Sequence, residues 1–226
     1  MTKITPLAQG LRSRNAEAAS MPSSVFDPRS IERLKSHYEH LILGAGEDLN
    51  REGLVKTPER AAKAWQFLTS GYDQDPAEII RSAIFEEEYD GMILVHNIEF
   101  YSLCEHHLLS FFGKAHITYL PSGKIVGLSK LPRVVDTLSR RLQVQERMTK
   151  QIADVLEETL SPKGIAVQIE AAHLCMMIRG VEKQHSLTTT TSFRGVFNTD
   201  QVLRDSFFNG IRNGSTPRTD PQFQSL

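Results

Sequence analysis

Cys104-Glu105-His106-His107 places a thiol and an imidazole three residues apart, on the turn that leaves a β-branched stretch. Thiolate and imidazole bind zinc at ~2.0–2.3 Å, so this spacing suits one metal ion. The only other cysteine is Cys175, and it also stands beside a histidine, His173. From Ile165 onward the odd positions Val167, Ile169, Ala171, His173 and Cys175 fall on one face of an extended strand. One reading is therefore a metal centre of Cys104, His107 and Cys175 with a fourth position open to water, the catalytic arrangement. Three other readings stay open on spacing alone. The thiols can be small core residues. They can belong to a structural four-ligand site with His106, His173 or His185. They can form a disulfide, which a reducing compartment disfavours.

Three further segments carry chemistry. Gly127-Leu128-Ser129-Lys130-Leu131-Pro132-Arg133 sets a glycine turn, a hydroxyl and two cations at a helix start, which suits a phosphate or equally a plain capped helix. Gln143-Val144-Gln145-Glu146-Arg147 opens the next helix. There Glu146 is either a dipole-compatible residue or an acceptor for two N–H groups of a purine edge. Arg179-Gly180 follows the second cysteine as a further candidate phosphate clamp.

These residues need a frame to position them. Ile31, Leu34, Tyr38, Leu41 and Ile42 form a helical stripe that Gly44 and Gly46 end. Thr57-Pro58 reads as cap and first residue of a second helix, with Ala61, Ala64, Trp65 and Leu68 inward. Asp75-Pro76 repeats that signal for a short third helix. From Met92 the period changes to two. Strands are expected over 92–102 and about 111–119, the latter with a wet face at Lys114, His116 and Thr118. Two helices follow, then strands over 165–177 and 188–191, then a last helix on Leu203, Phe207 and Ile211. The pattern predicts an α+β fold: an antiparallel four-stranded sheet with two helices between strands two and three, helices on one face, and exposed edges open to self-association. The expected division is a mobile arm over 1–27, a helical region over 28–90, a catalytic domain over 91–213 and a disordered tail over 214–226.

The 226 residues carry 26 Lys+Arg against 27 Asp+Glu, a net charge of −1, which argues against nucleic acid held by bulk charge. No stretch approaches the ~18 apolar residues of a membrane span, and no apolar leader opens the chain. A cytoplasmic protein is expected, with neither membrane nor nucleic acid as partner. Two cysteines exclude a disulfide-rich scaffold.

Taken together, Ser102–His107, Gly127–Lys130, Gln143–Arg147, Ala172–Met176, Arg179-Gly180 and Lys56-Thr57-Pro58 with Arg60 closely resemble the GTP cyclohydrolase I family over roughly residues 30–213. The resemblance implies the tunnelling fold and a ring-shaped homodecamer, two stacked pentamers with active sites at subunit interfaces. It implies zinc on Cys104, His107 and Cys175, lowering the pKa of its water to about 7. The implied reaction opens the guanine ring of GTP at C8, releases formate and rearranges the product to 7,8-dihydroneopterin triphosphate, the first step toward tetrahydrofolate and other pterins. His106 and His173 are the implied proton-transfer residues. Glu146, helped by Gln145, would read the guanine edge, and Ser129 would meet the ribose. Lys130, Arg133 and Arg179 would hold the triphosphate, with Lys56 or Arg60 as possible additions. Another enzyme of that fold, acting on a pterin or a deazaguanine, would share the purine-reading Glu without this metal set and clamp. A zinc-stapled module without activity would leave the two extra histidines without work.

Overall fold

The computed structural model describes residues 30–214; the arm read over 1–27 and all but the first residue of the tail read over 214–226 lie outside them. The described residues fall into two compact units that divide between Gln66 and Phe67.

The first unit holds helix α1 (Ile31–Gly44) and most of α2 (Thr57–Leu68). Ser30 caps α1 by accepting from the Arg33 amide. Ile31, Leu34, Tyr38 and Ile42 are half-buried as a stripe, but Leu41 is 66% exposed and lies off it. Thr57 is already helical, and its hydroxyl donates to the Gly53 carbonyl instead of capping. In α2, Ala62 is the buried alanine and Ala64 is exposed, contrary to the expected face.

The second unit begins with the end of α2 and a 3₁₀ turn, Ser70–Asp73. Helix α3 (Pro76–Arg81) starts as its sequence signals: Asp75 accepts from the Ala77 amide at 2.8 Å, and Pro76 needs no donor. Strands β1 (Ile84–Glu86), β2 (Ile93–Cys104), β3 (Ser110–Leu120) and β4 (Lys124–Val126) follow, then helix α4 (Lys130–Ser139). Next come β5 (Leu142–Gln143), α5 (Gln145–Leu160), β6 (Gly164–His173), the single helical turn α6 (Leu174–Met177), β7 (Thr188–Gly195) and α7 (Gln201–Gly214).

The fold is α+β. The long strands β2, β3, β6 and β7 are mutually antiparallel in that order, and α4 and α5 intervene between β3 and β6. Two pieces that periodicity did not reveal extend the expected four strands. The two-residue β5 adds parallel to β2, making five, and β1 pairs with β4 as a separate ribbon. Three and two residues are too few to show an alternation.

One sheet face carries the main core. Phe100, Phe111, Ile117, Val167 and Ile169 pack under Leu131, Val134 and Leu138 of α4 and Met148, Ile152 and Leu156 of α5. The other face is not wet as expected. Phe207 and Ile211 of α7 cover it with Phe197 and Ala166, so helices lie on both faces. His116 and Thr118 are consequently buried, whereas Lys114 is exposed.

Burial of His116 has a measurable consequence. Its Nδ1 accepts from the Asn97 amide, and Nε2 has no hydrogen-bond partner among the described residues. Desolvation, then repulsion of its charged form by the nearby His96 and Lys114, lowers its pKa to about 4. Between that value and the ordinary 6.5 of an unfolded chain, only the unfolded state takes up the proton. Stability contributed by neutral His116 is therefore complete above pH 6.5 and is lost as pH falls toward 4, by up to about 3 kcal/mol. His116→Gln is expected to flatten the decline of the urea midpoint across that window. Parallel curves for parent and variant would remove His116 as the cause.

Candidate active site

The end of the sheet where β2, β3 and β6 terminate gathers the reactive side chains. Cys104 is the last residue of β2. Its amide donates to the Leu109 carbonyl, and its carbonyl accepts from Leu108 at 2.8 Å, so residues 104–109 close a tight turn with Leu108 at φ +55°. That turn projects His106 and His107 outward. Across the sheet, Phe111 pairs with His173, and their rings stack 4.6 Å apart and almost parallel.

Beyond His173 the extended strand stops. The β3–β6 ladder ends at that rung, one residue short of the start of β3 at Ser110, and the chain turns into α6. Cys175 thus reaches the site from a helical turn, not from a continued strand, which corrects the alternation argument while keeping its outcome. The donor atoms of Cys104, His107 and Cys175 lie within 4.8 Å of one another. Cys104 Sγ is 3.9 Å from His107 Nδ1. A tetrahedral ion with bonds of ~2.0–2.3 Å holds its ligand atoms ~3.5–3.8 Å apart, so a soft Cys₂His set at this spacing fits zinc. His106 Nδ1 lies equally near Cys104, at 3.8 Å, but His107 is the histidine that groups with both thiols. His185 is exposed and outside the group. Both cysteines are free thiols. Burial and the neighbouring Cys104 push the Cys175 thiol up, with Arg179 partly opposing, so a bound metal must displace its proton.

These side chains line a pocket of about 210 Å³ with Gln143, Gln145, Glu146, Met176 and Thr188. Burial lowers the pKa of His173, and Glu146 partly restores it. Glu146 itself is exposed on the first turn of α5. Gln145 is only 2% exposed. Its Nε2 donates to the carbonyls of Ile169 and Thr188 and to Thr190 Oγ1, and its Oε1 meets His173 Nε2 at 2.7 Å. That amide ties α5 to β6 and β7 and holds the His173 ring, so both its oxygen and its nitrogen are already engaged within the chain. The strand that begins at Thr188 supplies two of these acceptors, the Thr188 carbonyl and the Thr190 hydroxyl.

The expected phosphate residues divide. Arg179 sits at the site, with Nη1 3.3 Å from His107 Nε2. Ser129, Lys130 and Arg133 do not line this pocket. Lys130 donates to Ser82 Oγ at 2.9 Å, and Arg133 borders a separate cavity of about 280 Å³ with Gln74, Asp136 and Arg140. Lys56 and Arg60 are exposed in the first unit. Glu105, between the cysteine and the two histidines, pairs with Arg147. No helix among the described residues is long and apolar enough to cross a membrane.

Comparison with known proteins follows the same residues. A sequence model described as GTP cyclohydrolase I matches residues 34–212. A curated GTP cyclohydrolase 1 of Bacteroides thetaiotaomicron is 58% identical over 185 residues, covering 82% of this chain and 94% of the relative. Its counterpart from Leptospira biflexa is 58% identical over 177 residues, covering 78% and 97%. That of Chlorobaculum tepidum is 57% identical over 173 residues, covering 76% and 77%. With the family match spanning most of the chain and the metal-type cluster lying inside it, this chain belongs to the GTP cyclohydrolase I family.

Proposed function

We propose that the chain hydrolyses GTP at guanine C8, releases formate and forms 7,8-dihydroneopterin triphosphate. The observation that supports this most is the convergence of the Cys104, His107 and Cys175 donors with His173 and Glu146 on one pocket. When bound there, zinc supplies Lewis acidity and an activated water.

The protein groups have separable tasks. Cys104, His107 and Cys175 are the proposed ligands. The Glu146 carboxylate accepts N1–H and N2–H of guanine and so sets the base. His106 and His173 move protons, first to guanine N7, which makes C8 more electrophilic, and later during closure of the new ring. Gln145 holds the His173 ring through the 2.7 Å contact, a positioning role in place of the direct purine contact expected from sequence. Arg179 carries triphosphate charge beside the donors. The phosphates act as a handle and are not cleaved.

Ser129, Lys130 and Arg133 complete the site from a neighbouring subunit in this reading. The support is that one chain does not bring them to the pocket, while β7 and most of β2 offer edges unpaired among the described residues. We read the α+β architecture as the tunnelling fold, the edges as paired in rings of five, and the assembly as two stacked rings in the cytoplasm.

Mixing tests both the reaction and the shared site. Arg133→Ala and Cys175→Ser assemblies should each be inactive with GTP. After dissociation and joint reassembly, formate release should return to roughly a quarter of the parent rate, because head-to-tail interfaces then join one intact half from each chain. Sedimentation should give a mass near ten chains. No recovery despite demonstrated subunit exchange, or a stable active monomer, would contradict a site built across the interface.

A further inference from the structure

We propose that Arg147 is a positioning residue for the metal-ligand turn, acting through Glu105. The inference rests on the proposed zinc site and concerns how this chain keeps two of its ligands in place. Glu105 stands in sequence between Cys104 and His107. Its amide donates to the Gln143 carbonyl at 3.0 Å, continuing the short β2–β5 pairing. Its carboxylate receives both ends of the Arg147 guanidinium, Nη1 on Oε1 at 3.4 Å and Nη2 on Oε2. Arg147 Nε donates further to Gln143 Oε1 at 3.3 Å. Gln143 is buried and fixed in turn, its Nε2 donating to the Leu138 carbonyl and Gln151 Oε1, both at 2.9 Å. A forked guanidinium thus joins the ligand turn to the first turn of α5, the same turn that carries Gln145 and Glu146. Neither Glu105 nor Arg147 lines the pocket.

The burial of the pair decides where its effect will show. Its side chains are 40% and 32% exposed, and such surface pairs add little to global stability. The turn it holds, however, has exposed side chains at His106, His107 and Leu108, the second of which is one of the clustered donors. Ordering that turn before metal arrives is worth most to the metal, because ligands held in place need not be ordered on binding. Arginine is required over lysine because the fork engages both carboxylate oxygens and Gln143 at once.

The test measures the zinc dissociation constant of the assembled protein by competition with a chromogenic chelator. Arg147→Met and Glu105→Gln should each weaken zinc about tenfold, and the double variant should be no worse than either single one. Arg147→Lys keeps the charge and should give a smaller loss, about threefold. It also serves as the informative variant if Arg147→Met fails to assemble. The melting point of the metal-free variants should stay at the parent value. Parent-like zinc affinity in the variants, or losses that simply add, would overturn the clamp while leaving the metal centre intact. A parent that holds no zinc would overturn the metal reading and the clamp with it.

Discussion

Cys175→Ser is expected to abolish zinc retention and to lower formate release from GTP by ~10³-fold or more, the scale of several kcal/mol of lost transition-state stabilisation. The substitution removes one of three donor atoms that lie within 4.8 Å of one another. Serine is nearly the same size, but its hydroxyl stays protonated at neutral pH and is a poor zinc ligand. Cys175 is half-buried on a single helical turn and packs only at the margin of the core, so the fold should survive. The two readouts, metal content and formate, must fall together. A metal-free Cys175→Ser protein with full turnover would remove the metal from the reaction. A zinc-replete variant without turnover would move Cys175 from ligand to some other task.

The second large effect concerns Glu146. Glu146→Gln should weaken GTP binding by ~10- to 100-fold, the range for a charged hydrogen bond lost in a recognition site, with much less change for ATP. In the proposed role the carboxylate offers two acceptors to the N1–H and N2–H of guanine. The amide presents an N–H where an acceptor is needed. Adenine never supplied those two donors, so it has less to lose, and the GTP-to-ATP preference collapses mainly from the GTP side. Glu146 is exposed at the start of α5, where little packing depends on it, so the change should leave assembly unaffected. An unchanged preference would take Glu146 out of recognition.

How much of this could be read beforehand depended on the distance over which each feature acts. The Cys104–His107 pair was legible because both residues belong to one tight turn, where spacing dictates reach. The closeness of Cys175 was legible too, but for a reason the structure replaces. A period of two cannot show that the β3–β6 ladder ends at the Phe111–His173 rung and that residues 174–177 continue as a helical turn. The same blindness to distant elements made His116 look solvated, since nothing near it in sequence announces that α7 will cover that face. Gln145 beside Glu146 looked like a partner in purine reading. Its actual acceptors, on Ile169, Thr188 and Thr190, are more than twenty residues away, beyond any local pattern. The Glu105–Arg147 pair escaped for the same reason. Caps behaved better where they are purely local: Asp75 caps as expected, whereas Thr57 turns its hydroxyl back to Gly53.

The division of the phosphate residues has a different origin. The cations at the start of α4 look like one clamp in sequence, and one chain leaves them apart from the cysteines. In the proposed assembly, association with other copies would let both halves meet one nucleotide, which is why the mixing experiment carries weight.

The most direct single measurement is an incubation of the zinc-loaded parent protein with GTP, with and without a strong zinc chelator. Formate is assayed, and neopterin fluorescence is read after oxidation of the product. The account predicts that both signals form together in equal amounts, and that the chelator suppresses both while added zinc restores them. A correctly assembled, metal-loaded sample that yields neither formate nor a pterin from GTP would contradict it.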